Sequence, residues 1–393
     1  VQIPVIAVGR IKPDQAVKAL NEGKADFIAM GRQLLADHDL PNKLRNGQQK
    51  AIRPCIHCNV CVSKIYLNQR LACAVNSDVG TVPSARSDSQ CAAKNILIVG
   101  GGPAGMEAAR LTAEKGHRVT LCEKAGHLGG TAFLAAVVYA PIIPFVAYLK
   151  RSLAQLPVNV HLNTTVDADY IRSLKPDLVL IASGAKRDAP KVAGIDGRNV
   201  FSGDELQRIM AGDADLAGQK VSLFQRLMML AGRLSGLMKS AFLLNKLSHL
   251  WLPLGQRVVI VGEGLVALEL AEFLIERRRH VTVLSESNEW GQELALIRRW
   301  RMLHELAEHG AVLVPSTEVT AIRKGWVDYK NAQQQTVSVE ADSVVVASGA
   351  GADPNILTQL TVGDIPTKII GDSASLDYIE GAMATAQQAV AEL

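Results

Sequence analysis

The chain has 393 residues, is 48% hydrophobic and 4% aromatic, and its lysines and arginines exceed its acids by only four. That hydrophobic content excludes a disordered chain, suits packed α/β layers, and at this length allows two or three domains. The near-balanced charge and scarce aromatics exclude a nucleic-acid partner read through basic patches and base stacking.

Residues 3–9, IPVIAVG, read as a buried strand, followed by a helical stretch, DQAVKALNEG, and a second strand, ADFIAMG. Each strand ends in Gly-Arg, at Gly9-Arg10 and Gly31-Arg32. A lone β-α-β unit cannot form a stable domain, so residues 1–50 are predicted to be the last two strands of a barrel. The chain opens on Val1, already entering a strand, which predicts a segment cut from something longer. No leader or long apolar span is visible, which predicts a cytoplasmic protein.

Residues 51–80 carry RPCIHCNVCVSKIYLNQRLACAVN, with Cys55, Cys58, Cys61 and Cys73 in a C-x2-C-x2-C-x11-C spacing. Four of six cysteines in one short run suit metal ligation in a reducing compartment better than disulfides. Zinc also uses C-x2-C, but its ribbons usually pair two such motifs, whereas here three cysteines bunch and one returns alone. The neighbouring motifs are redox motifs, and closed-shell zinc carries no electrons. An iron–sulfur cluster, [4Fe–4S] on four thiolates, is the favoured reading. His57 is expected to support this segment or face solvent rather than ligate. Cys91 and Cys122 stand apart as spectators. Residues 77–93, DVGTVPSARSDSQCAAK, have linker composition.

From Lys94 the pattern becomes strand, glycine turn, helix, strand: NILIVG, GGPAGMEAARLTAEKG, RVTLCEK. The turn is Gly100-x-Gly102-x-x-Gly105, where glycines permit a tight bend, close approach of a pyrophosphate and close helix packing. Free amides at the helix start can hold phosphates. Glu123, 23 residues after Gly100, is placed to accept ribose hydroxyls. The same texture recurs roughly 160 residues later in RVVIVGEGLVALELAEFLIERRRHVTVLSES, with Gly262, Gly264 and Ala267 in the glycine positions. There Glu286 would repel a 2′-phosphate and favour NADH over NADPH, whereas Ser285 could serve a phosphate. PDLVLIASGA and ADSVVVASGA echo each other and mark crossings between one domain and an inserted second. The predicted divisions are 94–215 with 341–393 for the first nucleotide domain, and 256–340 for the second.

Between them, residues 216–255 are a basic insertion without acids. Leu223, Leu227, Leu230, Leu234, Leu237, Ala241 and Leu244 form a helical stripe that Pro253 ends. Residues 220–251 suit either an anionic membrane interface or packing on the chain's own domain or a partner subunit; a homo-oligomer is compatible with the latter. Cys122 has no second cysteine near it, so dithiol chemistry of the disulfide-reductase kind is not expected.

This order of parts resembles the old yellow enzyme-like iron–sulfur flavoproteins of the 2,4-dienoyl-CoA reductase and trimethylamine dehydrogenase type, along the whole chain. The cysteine run set directly after a Gly-Arg barrel strand is the most specific element. Its spacing is more similar to the amine dehydrogenase version than to the dienoyl-CoA reductase one, which usually has three residues between the second and third ligands. The resemblance implies an α/β architecture: the end of a TIM barrel, then two Rossmann-like domains, an FAD domain with an inserted NAD(P) domain. It implies that Gly9, Arg10, Gly31 and Arg32 contact an FMN phosphate. Gly100, Gly102, Pro103, Ala104, Gly105 and Glu123 would hold the FAD adenosine half, with Gly129 and Gly130 near the diphosphate. Gly371-Asp372 is similar to the turn where an acid binds the ribityl chain. The family's substrate-binding and proton-donating residues lie earlier in the barrel, so no catalytic residue is assigned here.

The implied route is NAD(P)H to FAD, to [4Fe–4S], to FMN, for reduction of an activated C=C bond in an unsaturated thioester, ketone or carboxylate. Two other readings stay open: a substrate-oxidising amine dehydrogenase whose second nucleotide site is inert, and an electron-transfer subunit without its own substrate site.

Overall fold

The computed structural model describes residues 2–80, 92–187, 190–210 and 240–393. Strands β1 (Ile6–Val8) and β2 (Phe27–Ala29) pair in parallel, with Ile6 opposite Phe27, and helix α1 (Pro13–Asn21) joins them. Pro13 opens α1, where its missing N–H costs nothing. Helices α2 (Arg32–Ala36) and α3 (Leu40–Arg45) lead into the cysteine segment, which contains α4 (Val60–Tyr66). Side chains zip these pieces together. Gln33 donates to the Arg53 carbonyl (2.8 Å) and accepts from the Cys55 amide (2.9 Å), while the buried Asp37 accepts from the Arg53 amide (2.7 Å) and Lys43 Nζ (2.7 Å).

The next segment runs β3 (Asn95–Val99), α5 (Pro103–Glu114), β4 (Arg118–Cys122), α6 (Thr131–Val138), α7 (Ile143–Ala154), β5 (Val158–His161), α8 (Ala168–Leu174) and β6 (Leu178–Ile181). After β7 (Lys186–Arg187) come β8 (Val200–Ser202), α9 (Gly203–Met210), α10 (Ala241–Leu247), β9 (Arg257–Val261), α11 (Leu265–Glu276), β10 (His280–Leu284), α12 (Leu296–Glu308) and β11 (Val312–Val314). An antiparallel trio follows, β12 (Glu318–Arg323), β13 (Gly325–Lys330) and β14 (Thr336–Ala341), then β15 (Ser343–Val346), β16 (Ala350–Gly351), α13 (Ile356–Leu360), β17 (Thr367–Ile369) and α14 (Tyr378–Ala391).

Two five-stranded parallel sheets result, in the orders β17-β6-β3-β4-β5 and β8-β15-β9-β10-β11. They are one plan used twice, with β3, β4, β5 and β6 matched by β9, β10, β11 and β15. Both carry helices on their faces, so central strands are apolar throughout: Ile96, Leu97 and Ile98 in one, Val258, Val259 and Ile260 in the other are at most 1% exposed. Small residues on α5 and α14, among them Ala104, Ala108, Ala382 and Ala386, let those helices pack closely.

The boundaries differ from the sequence expectation in two places. Val200–Ser202 and Ser343–Val346, placed by sequence in the first nucleotide domain, hydrogen-bond into the second sheet. Their apolar strands complete that sheet on the far side of β9, which the glycine-turn repeat alone does not reveal. The two Ala-Ser-Gly-Ala crossings lead directly into β7 and β16, which pair antiparallel with each other. Of the predicted basic stripe, residues 220–239 lie outside the described residues, as does Cys91. Ala241 and Leu244 lie on α10, which is tied to α6 by Asn245 Nδ2 donating to the Val137 carbonyl at 2.7 Å. Among the described residues no helix is long and apolar enough to cross a membrane.

Candidate functional site

The cysteine segment is wedged between the barrel-like unit and both nucleotide halves. Cys61 is buried, and Cys55, Cys58 and Cys73 pack against the core that β3 and α5 share. The four thiols are close enough to sense one another's charge. Burial pushes Cys58 up to about 12 and Cys73 up to about 11, and the neighbouring thiols add to both rises. Backbone amides oppose this: those of His57, Val60, Val62 and Val75 face Cys55, Cys58, Cys61 and Cys73 respectively. The His57 N–H donates to Cys55 Sγ at 3.4 Å. Thiols in this setting stay protonated unless a cation takes the thiolate. Among the described residues no three His, Cys, Asp or Glu side chains converge on one ion-sized point.

The Gly-Arg pairs meet Cys55 in a cavity of about 1040 Å³ lined by Gly9, Arg10, Gly31, Arg32, Cys55 and His57, with Lys12 and Arg151. A Cβ on Gly9 or Gly31 would meet nothing within 4 Å, so both turns face open space. Asp14 is the acid among the lining residues, so the cavity is electropositive. Burial, then Arg32, Arg10 and Lys12, hold His57 below the usual imidazole range and keep it neutral near pH 7. Arg32 Nη1 donates to Asn59 Oδ1, fixing the guanidinium beside the cysteine loop.

At the first glycine turn, Gly100 has φ +112° and a Cβ there would fall 2.2 Å from the Ala182 carbonyl oxygen. A Cβ on Gly105 would fall 1.9 Å from the Gly100 oxygen, whereas Gly102 faces nothing within 4 Å. So two glycines are demanded by the chain's own packing and the middle one leaves a surface open at the start of α5. Pro103 and Ala104 begin that helix. Buried Glu123 accepts from the Gly101 amide at 2.6 Å and the Ala125 amide at 2.7 Å. The Gly129–Gly130 turn closes over this site, with a Cβ on Gly130 only 3.0 Å from Gly102 Cα. Gly371 lies against Ala104, and Asp372 Oδ1 accepts from the Tyr378 amide at 2.9 Å at the start of α14. The structure therefore brings together Gly100, Gly102, Gly105, Glu123, Gly129, Gly130, Gly371 and Asp372.

At the second turn, Gly262 has φ +143° and Ala267 is fully buried. Two features differ from the first turn. The residue that follows β10, as Glu123 follows β4, is Ser285, while Glu286 is one position further and exposed. Sequence counting could not separate these neighbours; the strand end does. Also, a Cβ on Gly264 would lie 2.8 Å from Glu293 Oε1, so a carboxylate stands where the first half is open.

Two polar networks, absent from the sequence reading, join these parts. Arg53 of the cysteine segment reaches α5: Nη2 donates to Glu107 Oε1 (3.3 Å), Nη1 to the Val75 carbonyl (2.8 Å) and Nε to the Tyr148 hydroxyl (3.3 Å). Arg110 completes a buried Arg–Glu–Arg group, at 2.7 Å from Glu107 Oε1. Burial raises the Glu107 carboxyl, but its hydrogen bonds and charge pairs with Arg110 and Arg53 leave it below the ordinary carboxylate range. On the other side, Arg298 of α12 pairs with Glu269 (3.0 Å) and Glu272 (3.2 Å) and lies 4.1 Å from the Tyr139 ring centre, whose hydroxyl donates to the His57 carbonyl (3.5 Å).

Two parallel sheets carry matching glycine turns, one inserted in the other, which is a doubly used Rossmann-like plan. Residues 94–368 match the pyridine nucleotide-disulphide oxidoreductase family, and residues 1–51 match the NADH:flavin oxidoreductase / NADH oxidase family. The chain belongs to the first of these over most of its length and, with both parts together, to the old yellow enzyme-like flavoproteins. It is 32% identical to an NADH oxidase of Thermoanaerobacter brockii, over 99% of this chain and 55% of that protein. It is 29% identical to a cinnamate reductase of Clostridium sporogenes, over 96% and 51% respectively. A solved 2-naphthoyl-CoA reductase, in complex with 2-naphthoyl-CoA, superposes with a TM-score of 0.83 at 27% identity, covering 100% of this chain and 54% of that one. The chain thus spans about half the length of the relatives it matches.

Proposed function

We propose that this chain is the electron-input portion of an NAD(P)H-dependent flavoprotein reductase acting on an activated C=C bond. In this reading the first half holds FAD, the second half holds NAD(P)H, and Cys55, Cys58, Cys61 and Cys73 hold a [4Fe–4S] cluster. Gly9, Arg10, Gly31 and Arg32 contribute to an FMN phosphate site. When bound, these groups supply hydride exchange at the flavins and single-electron transfer at the cluster.

One observation carries the reading. The cysteine segment is bonded to the dinucleotide helix through Arg53 and Glu107, and touches the second half through His57, Tyr139 and Arg298. A buried ion group of this kind fixes register more than it adds stability. A [4Fe–4S] cluster takes each thiolate on a different iron, so it does not require the four sulfurs to meet at a single ion. Their facing amides would stabilise thiolate charge. The first turn fits FAD through its open Gly102, its helix start and Glu123. Arg10, Lys12 and Arg32 give the cavity the charge a flavin phosphate needs. An unsaturated carbonyl or thioester substrate is supported by the likeness to reductases named for cinnamate and 2-naphthoyl-CoA.

A second reading, a substrate-oxidising enzyme with an inert second nucleotide site, is favoured by Glu293 standing over Gly264. Anaerobic mixing of the flavin-loaded protein with NADH and NADPH separates them. Bleaching of flavin absorbance by either coenzyme is the expected result; a flavin left oxidised by both supports the oxidising enzyme.

A further inference from the structure

The two halves share their backbone bonding around the glycine turn. Gly100 N–H donates to the Cys122 carbonyl (2.8 Å) and Gly262 N–H to the Leu284 carbonyl (2.9 Å); Gly129 N–H donates to the Gly101 carbonyl and Gly291 N–H to the Glu263 carbonyl, both at 2.8 Å. Gly101 therefore corresponds to Glu263, and Glu123 to Ser285. In the first half the acid comes from the strand end and the turn has no side chain. A Cβ on Gly101 would lie 3.0 Å from Glu123 Oε2, so the two positions compete for one space. In the second half the assignment is exchanged. The turn supplies the acid, and the strand end carries a small residue, Ser285, 1% exposed, whose Oγ lies 3.4 Å from Glu263 Oε2 and donates to the Ser287 carbonyl at 2.9 Å.

We propose that Glu263 is the ribose-binding acid of the second half and makes that site select NADH over NADPH. This rests on reading the second half as a pyridine-nucleotide site. A carboxylate at the end of the second strand accepts the adenosine ribose hydroxyls and repels a 2′-phosphate. The stretch SESNEWGQE, from Ser285 on, adds Glu286, Glu289 and Glu293 and contains no lysine or arginine that could take such a phosphate. Selectivity thus comes from a residue inside the glycine turn, not from Glu286.

The test is equilibrium binding of NADH and of NADPH to the full chain, followed by coenzyme fluorescence, for wild type, Glu263→Gln, Glu286→Gln and the exchanged double variant Glu263→Gly with Ser285→Glu. Wild type should prefer NADH. Glu263→Gln should weaken NADH about ten- to a hundredfold, the scale of a lost charged hydrogen bond, with a smaller effect on NADPH. Glu286→Gln should leave the preference standing, and the double variant should recover NADH binding by copying the first half. An unchanged preference in Glu263→Gln, or an equal loss of both coenzymes there, overturns the proposal. A wild-type chain that binds neither coenzyme instead overturns the reading of the half itself.

Discussion

At Gly105 a single methyl group decides whether the first turn can form. Its Cβ would sit 1.9 Å from the Gly100 oxygen, a backbone atom that cannot step aside. Gly105→Ala should therefore lower stability by about 1–3 kcal/mol, the usual cost of overpacking, and purify with little flavin. Thermal melting and the flavin-to-protein absorbance ratio check this. Glu293 makes the opposite forecast. Removing its charge from beside Gly264 should tighten pyridine-nucleotide binding about three- to tenfold, on the basis of roughly 1 kcal/mol for a like-charge contact screened as in bulk water, Glu293 being exposed. Titration of Glu293→Gln with NADH measures it, and unchanged affinity would show that the side chain already stands clear. Glycine spacing was readable at this scale because backbone sterics leave so few substitutes. Glu263, Glu293 and Ser285 were not, because a side chain's reach across a turn has no spacing rule.

Between elements, the buried Arg53–Glu107–Arg110 group couples the cysteine segment to α5. Replacing Arg53 with Met should cost about 3 kcal/mol, the lower end for breaking a buried ion group, since Arg110 stays. A pH effect follows with a definite sign. The Glu107 carboxyl is depressed in the folded protein, so its contribution is complete above the unfolded value of about 4.3 and fades as pH falls through the folded value. Without Arg53 that depression shrinks, and acid unfolding, followed by circular dichroism, should begin at a higher pH. A variant that loses stability equally at pH 7 and pH 3 would contradict the assignment. Sequence patterns gave both glycine-turn units, because apolar strands and amphipathic helices are periodic. They could not give β8 and β15 to the second sheet, since a buried parallel strand reads alike in either. Nor could they find Arg53, whose partners lie 22 and 54 residues away.

On the scale of the whole molecule, the cysteine segment is the hub on which the cavity, the first half and the second half converge. The run of Cys55, Cys58, Cys61 and Cys73 stands out in the sequence because its spacing is local. Whether they hold a cluster is a question of chemistry and not of fold. The direct measurement is iron, zinc and acid-labile sulfide per chain after anaerobic reconstitution, repeated for Cys58→Ser. About four irons and four sulfides per chain, lost in the variant while the first half keeps its flavin, is the predicted result. One zinc per chain with no sulfide would contradict it.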